Sequence, residues 1–150
     1  MHRRNRLDEA LVEFAAARTA LHDLGFPGAV AELQSLVARV CAELHDEPAA
    51  RAANAEAESI AQALPPESVA TNLWWNLAAA SALLDGAANG AERFAQIAAR
   101  TFGDNALELS PEDAECYSRL PWHIDTFALL AGREVSLRLA GRANGVILRT

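Results

Sequence analysis

The sequence predicts an all-α fold: five or six helices packed as antiparallel hairpins around one buried central helix, with a possible short β-hairpin at the C-terminal end. Three observations support this prediction. Apolar residues recur at intervals of three and four in successive segments, which is the period of a helix with one buried face. Glycine and proline fall between these segments, so the connections are short. One further segment is apolar on several sides, as expected of a helix at the centre of a core.

The predicted central helix spans residues 65–86, PPESVATNLWWNLAAASALLDG. Two prolines suit its first turn, where a missing N–H group costs nothing, and an Asp-Gly pair suits its end. At 100° per residue, Trp74 and Trp75 point away from the main apolar stripe on two different sides, which predicts that the helix is buried. Asn72 and Asn76 lie one turn apart on its flank, and a buried amide requires hydrogen-bond partners.

Five more helices are predicted by the same reasoning. Their ranges are 5–24, with a cap at Asn5, 28–45, 47–64, 90–102, with a cap at Asn89, and 111–131. The helix over 28–45 has the clearest pattern, with one continuous apolar face. We expect solvent on its opposite face, which carries the polar residues Glu32, Ser35, Arg39 and Glu43.

The helix over 47–64 is rich in alanine. Between Pro48 and Ser59 it contains no apolar side chain larger than alanine, so burial stabilises it little. It is expected to pack closely through its small residues or to be the most mobile part of the body. Alanine's high helix propensity supports the helix itself.

The last predicted helix, 111–131, contains Pro121, which either ends or kinks it. Helical phase carried through the proline keeps Tyr117, Ile124 and Phe127 on one stripe, which favours a kinked continuous helix. Beyond it, apolar and polar residues alternate over 135–139, and two glycines precede a second apolar run. This alternation predicts the β-hairpin, with a helical turn and an ordered tail as the alternative.

Charge divides the chain into a basic extension (1–6), an acidic helical domain (7–132) and a basic, partly apolar extension (133–150) that packs on the domain or on a partner. The first extension carries three arginines and no acid, the body six arginines against nineteen acids, and the last part four arginines and one glutamate. An acidic body repels phosphates, so nucleic-acid binding is not expected. The lack of a long apolar run or a leader pattern predicts a cytoplasmic protein without a membrane partner.

Side-chain composition excludes some chemistry. All thirteen basic residues are arginine, so a lysine Schiff base and a phosphate-loop lysine are excluded. The two cysteines, Cys41 and Cys116, have neither disulfide nor metal-site spacing and are expected to be buried free thiols. No cofactor is predicted.

Five residues are candidates for ligand binding: Arg18, Trp74, Trp75, Trp122 and His123. Arg18 falls within the apolar stripe of the first helix, where a guanidinium either pairs with a glutamate of the next helix or holds an anion. Each tryptophan is either a core residue or the wall of a pocket.

A metal site formed by His22, His45 and His123 is an alternative, because histidines on three helices can converge on one ion. Two of them lie in the last turn of a predicted helix, where the dipole favours histidine without any metal.

Arg119 and His123 lie on one side of the predicted last helix, in the segment RLPWH. The pair resembles the motif of the HEPN ribonuclease family, an arginine followed by histidine after four to six residues; here three residues separate them. The resemblance implies that Arg119 neutralises a phosphodiester and His123 acts as general acid or base. An exposed ion-pair face with Glu112 and Glu115 is the alternative.

A second resemblance covers Ala106–Leu120, ALELSPEDAECYSRL, which is similar to the junction between tetratricopeptide repeats. It implies an architecture of helix hairpins.

We expect a non-catalytic protein-binding or adaptor module, because no catalytic motif is present. Its partner would be another protein or a second copy of the chain, met near Trp122, the alanine-rich helix or the C-terminal tail. The alternative is a small-molecule- or metal-binding helical protein with a pocket lined by Trp74 or Trp75, Arg18 and His123.

Overall fold

A computed structural model describes residues 2–86 and 90–139, and in this part of the chain all regular secondary structure is helical. The seven α-helices are α1 (His2–Asp23), α2 (Pro27–Glu43), α3 (Glu47–Gln62), α4 (Thr71–Asp85), α5 (Gly90–Ala106), α6 (Pro111–Ser118) and α7 (Pro121–Leu130). A 3-10 turn, Pro66–Ser68, precedes α4. The predicted all-helical class is confirmed for these residues. None of these helices is both long and apolar enough to cross a membrane.

Local sequence signals fix several helix ends. The Asp46 side chain accepts a hydrogen bond from the Ala49 N–H and caps α3, and Ser110 caps α6 in the same way through the Asp113 N–H. The turns after α1 and α4 use Gly25 and Gly86 with φ of +76° and +80°, a conformation that costs glycine little. The predicted cap at Asn5 lies inside α1, and the predicted cap at Asn89 lies outside the described residues.

Some helices pack on the next helix in the chain and others on more distant ones, and α4 contacts four other helices. α1 packs mainly on α2, and α2 and α3 share the largest helix-to-helix contact. α4 contacts α2, α3, α5 and α7 and is buried along most of its length, with Leu73 and Leu77 almost without exposure. Burial of such side chains is the main stabilising contribution to the core, at about 25 cal/mol per Å² of apolar area.

The alanine-rich α3 is closely packed. Its buried residues are four alanines at helical spacing: Ala50, Ala53, Ala57 and Ala61. Because alanine is small, the backbones of α2 and α3 approach closely, which explains their extensive contact. Of the two expectations for this helix, the structure shows the packed one.

The predicted helix over 65–86 begins later than expected. Val69 and Ala70 are extended, so the α-helix starts at Thr71 after the 3-10 turn. Val69 is nevertheless buried in the core. α5 differs in the other direction, because it continues to Ala106 instead of ending at residue 102.

The predicted kinked helix over 111–131 is wrong, because the structure contains two helices. α6 ends at Ser118, Leu120 is extended with ψ of 136°, and Pro121 occupies the first turn of α7. A proline at that position loses no helical hydrogen bond, and it disfavours helical geometry in the residue before it. A new helix therefore begins at Pro121, where a kink was predicted.

Residues 133–139 form an extended segment that returns to the bundle. Val135 and Leu137 are buried in the main apolar cluster with residues of α4 and α5. The turn and second strand of the predicted hairpin lie outside the described residues. The segment brings backbone groups of Leu137 and Leu139 into hydrogen bonds with side chains of α2, beside a cavity that Leu139 lines.

Candidate ligand-binding cavity

The polar face of α2 is buried, which corrects the expectation that it meets solvent. Ser35, Arg39 and Glu43 are buried and Glu32 is half-buried. The face is covered by α4 and by the extended segment 133–139. Each of its polar side chains bonds to a covering element: Glu32 to Asn72, Ser35 and Arg39 to Asn76, and Glu43 to the Leu139 N–H.

Arg39 is the centre of this network, with only 7% of its surface exposed. Its guanidinium donates to Asn76 Oδ1 at 3.0 Å and to the Leu137 carbonyl oxygen at 2.6 Å. Asn76 in turn donates through Nδ2 to Ser35 Oγ at 3.0 Å. In the described part of the chain the Nε atom of Arg39 is buried without a hydrogen-bond partner. A buried donor of this kind is costly unless something binds it.

A cavity of about 480 Å³ opens beside Arg39. It lies between α2, α4, α7 and the extended segment, and its lining residues are Leu36, Arg39, Asn72, Trp75, Asn76, Pro121, Trp122, Asp125, Ser136, Arg138 and Leu139. A second cavity of about 320 Å³ shares Asn72 and Trp122 with it. The larger volume is within the range of small-molecule sites, roughly 300–1,000 Å³.

The charges around the cavity are mixed. Burial lowers the pKa of Arg39 to about 10, and the nearby carboxylates of Glu43 and Asp125 oppose that shift. Arg39 is therefore still cationic at neutral pH. Arg138 is half-buried at the cavity, and its Nε is also buried without a partner among the described residues. Two guanidiniums and one carboxylate thus line the cavity, within a body whose net charge is negative.

Two of the predicted binding residues form walls of this cavity. Trp75 is 2% exposed and Trp122 is half-buried, and both line it. Trp74 does not; it belongs to the core, where its ring stacks on Phe94 with the ring centres 6.4 Å apart. Adjacent tryptophans on one helix thus serve different purposes because they point to different neighbours.

Arg18 lies away from the cavity. Its guanidinium pairs with the Glu56 carboxylate of α3, which also accepts from Gln34, and the arginine side chain is about half exposed. The guanidinium thus pairs with a glutamate as one interpretation expected, but the glutamate belongs to α3 and not to the next helix, α2. A partly exposed pair of this type contributes little to stability.

His123 is buried in an aromatic cluster and does not line the cavity. Its ring packs against Phe102, Tyr117 and Trp122, with centre-to-centre distances of 4.7, 4.4 and 5.9 Å. Its Nε2 lies 3.4 Å from Thr71 Oγ1, which accepts a hydrogen bond from Trp122 Nε1 at 3.2 Å. Burial lowers the pKa of His123 to about 4, so the imidazole is neutral at pH 7.

Arg119 and His123 occupy different surroundings. Arg119 caps the end of α6, is largely exposed and pairs with Glu115 four residues earlier. His123 is in α7 and buried. This ion pair agrees with the exposed-face interpretation of Arg119.

The described residues contain no group of three His, Cys, Asp or Glu side chains that could hold a metal ion. His22 and His45 are exposed, whereas His123 is buried. The cysteines also differ: Cys41 is buried as expected, but Cys116 is exposed, which corrects that prediction. The reason is that α6 is a short outer helix with no buried residue of its own.

The sequence reasoning missed Arg39, Asp125 and Arg138. A signal for Arg39 was present, because Asn72 and Asn76 on a buried helix require partners and α2 carries polar residues at matching helical spacing. No comparable local signal marks Asp125 or Arg138, because each reaches the cavity only through the tertiary fold.

No protein-family model, curated protein sequence or solved structure matches the chain. The resemblances to the HEPN and tetratricopeptide families therefore have no support from a family match. In the part of the chain that the structure describes, an all-helical fold thus contains a cavity lined by both polar and apolar side chains.

Proposed function

We propose that this protein binds a small organic acid in the cavity between α2, α4, α7 and the extended segment 133–139. The observation that carries the proposal is the buried guanidinium of Arg39, which lines the cavity and is held in position by Asn76 and the Leu137 carbonyl. The proposal follows the small-molecule-binding alternative of the sequence analysis, in a cavity that shares only Trp75 with the lining predicted there. As part of the same proposal, we regard α4 as the central helix around which the predicted helix hairpins pack.

The chemistry of arginine supports a carboxylate as the group recognised. A guanidinium presents its N–H groups in a planar fork, which matches the two oxygens of a carboxylate. Two of the Arg39 contacts are made to neutral acceptors, the Asn76 amide and the Leu137 carbonyl, which orient the group without neutralising its charge. The guanidinium is therefore fixed in position before any ligand arrives, which lowers the entropic cost of binding.

The walls of the cavity support an organic ligand over an inorganic anion. The indoles of Trp75 and Trp122 and the side chains of Leu36 and Leu139 supply apolar surface beside the polar groups. Binding sites commonly combine such walls with a small number of fixed polar groups.

The test uses 3-phenylpropionate as the probe, with melting temperature and tryptophan fluorescence as the first readouts and calorimetry for the dissociation constant. We expect a higher melting temperature and a fluorescence change, since two indoles line the cavity. Arg39→Gln should weaken binding at least about tenfold, because a charge-assisted hydrogen bond is lost. Arg18→Gln is the matched control and should bind as the wild type does, because Arg18 lies outside the cavity.

If Arg39→Gln fails to fold, Arg138→Gln replaces it, since Arg138 is only half-buried, and a smaller loss of affinity is expected. Binding that is unchanged in both cavity variants would contradict the proposal. So would a failure of every carboxylate tested, which are 3-phenylpropionate, 4-methylpentanoate, acetate, L-phenylalanine and L-leucine, to bind the wild type at all.

A second candidate function is protein binding, and the observation that favours it is an apolar stripe on α7. Ile124, Phe127 and Leu130 recur at three-residue spacing on this helix, and all three are exposed, Ile124 by 54%. Contiguous exposed apolar surface of this kind is typical of interaction sites. The test measures the mass of the protein by light scattering over a range of concentrations. Self-association that Ile124→Glu abolishes would support a homo-oligomer. A monomer at every concentration would contradict the homo-oligomer.

The other surfaces considered for protein binding are less suited to it. The alanine stripe of α3 is buried, and Trp122 is half-buried at the cavity. Val135 and Leu137 of the C-terminal segment are core residues, so truncation after Gly132 would remove part of the core together with any contact surface.

A further inference from the structure

We infer that the ligand is a free amino acid or a similar zwitterion, whose carboxylate binds Arg39, whose ammonium group binds Asp125, and whose side chain lies between Trp75 and Trp122. This inference rests on the proposed function, because it names the ligand class for the same cavity. It is carried by the presence of both signs of charge in the cavity lining, beside apolar walls.

The cavity carries charges of both signs. Asp125 lines it together with Arg39 and Arg138 and lies near enough to Arg39 to interact electrostatically, and Glu43 is a second carboxylate beside that guanidinium. A ligand carrying only negative charge would be attracted by the guanidiniums and repelled by the carboxylates. A zwitterion has a group of the favourable sign for each.

An ammonium group on the ligand would be attracted by the Asp125 carboxylate, which repels a simple anion. Asp125 already interacts with other groups of the protein, but a carboxylate has about four acceptor sites and can bind an ammonium in addition. In an α-amino acid the two charges are on neighbouring groups, so the ligand needs one cationic and one anionic partner close to each other. Arg39 and Asp125 provide that pair within one cavity.

The rest of the lining suits the remainder of an amino acid. Two indole rings, Leu36, Pro121 and Leu139 provide apolar surface for a side chain, and indole faces also attract an ammonium group. The volume of about 480 Å³ is adequate for one small ligand.

The experiment compares three probes that share one carbon skeleton: L-phenylalanine, 3-phenylpropionate, which lacks the ammonium, and 2-phenylethylamine, which lacks the carboxylate. Calorimetry at pH 7 gives the dissociation constant of each for the wild-type chain. We expect L-phenylalanine to bind at least about tenfold more tightly than either analogue, because only the zwitterion satisfies both charged groups. A second trio, L-leucine, 4-methylpentanoate and 3-methylbutylamine, covers a smaller side chain.

Asp125→Asn tests the role of the carboxylate. This variant should lose most of the preference for the amino acid over the acid, and it should bind the acid as tightly as the wild type or more tightly, because a repulsive charge is gone. Asp104→Asn is the matched control, because Asp104 is an exposed aspartate of α5 outside the cavity. It should keep the preference.

The outcomes separate this inference from the proposed function. If the acids bind as tightly as the amino acids in both trios, the zwitterion inference is overturned and the organic-acid site stands. If an amine binds most tightly in either trio, or if no acid or amino acid binds, both fail. An Asp125→Asn variant that keeps the full preference also overturns the inference.

Discussion

The two faces of α4 are both buried, yet they are held by different interactions. On one face Trp74 stacks against Phe94, and Leu77 and Ala78 are fully buried in the same apolar cluster. On the other face Asn72 and Asn76 bond to the polar stripe of α2. On the first face the side chains must fill a fixed apolar volume. On the second face each buried polar group must have a hydrogen-bond partner.

This difference determines how each face responds to substitution. On the apolar face an apolar side chain of similar volume is tolerated best, because dispersion and the hydrophobic effect are not directional. On the polar face the removal of one group leaves its partner buried and unsatisfied, at a cost of about 1–3 kcal/mol for a neutral group and more for a charge.

Arg39→Met should lower the free energy of unfolding by about 3–5 kcal/mol, because it leaves Glu43, Asn76 and the Leu137 carbonyl without their cationic partner. Urea unfolding followed by circular dichroism measures the loss. Arg51→Met is the control, since Arg51 pairs with Asp85 on the exposed surface, and its midpoint should move far less. An Arg39→Met protein as stable as the wild type would show that the polar face needs no pairing.

Acid should destabilise the protein through His123, which lies against Thr71 at the start of α4. The pKa of this imidazole is about 4 in the folded chain and about 6.5 when unfolded, so the unfolded state binds more protons between these values. Stability should therefore fall from about pH 6.5 to pH 4, by up to about 3 kcal/mol.

The measurement is urea unfolding at pH 7.5 and pH 4.5 for the wild type and for His123→Gln. The variant should lose less stability between the two pH values, since it cannot take up this proton. His22→Gln, at an exposed histidine, should behave like the wild type. Equal acid sensitivity of wild type and His123→Gln would contradict the assignment.

Asn76→Leu should cost about 2 kcal/mol although it keeps the number and the branching of the side-chain heavy atoms, because Arg39 and Ser35 each lose a hydrogen-bond partner. Thermal unfolding by calorimetry detects the change. A neutral or stabilising effect would mean that water or another side chain replaces the amide.

Leu77→Met on the apolar face should cost roughly 1 kcal/mol or less, since it keeps both volume and apolar character. The same calorimetry applies, which makes this variant the direct counterpart of Asn76→Leu. A larger loss for Leu77→Met than for Asn76→Leu would reverse the proposed contrast between the two faces.

The sequence predicted those parts of the fold that depend on neighbours along the chain. Helical periodicity and the glycines between helices are local signals, and the structure contains them, with Gly25 after α1 and Gly86 after α4. Pro121 was ambiguous for a local reason, because the same residue can kink a helix or begin one. The extended conformation of Leu120 decides for a new helix.

The candidate cavity was only partly predictable. Trp75 and Trp122 were identified because a tryptophan is a candidate core residue or pocket wall wherever it occurs in a sequence. Arg39 was assigned to the solvent face because amphipathic periodicity assumes one buried side, whereas α2 is covered on both. Its partners Asn76 and Leu137 are 37 and 98 residues away along the chain. Periodicity within a short stretch of sequence cannot show that residues so far apart are in contact.

The bond from Arg39 to the Leu137 carbonyl also has a consequence for the order of folding. The helix pairs α1–α2 and α2–α3 are closed by short connections, so they can form rapidly from local contacts. The Arg39 bond closes a loop of 98 residues, whose entropic cost is paid only after much of the bundle exists. The cavity is thus completed in a late step of folding, and amide hydrogens around Leu137 and Leu139 should gain protection later in refolding than those of α2 and α3.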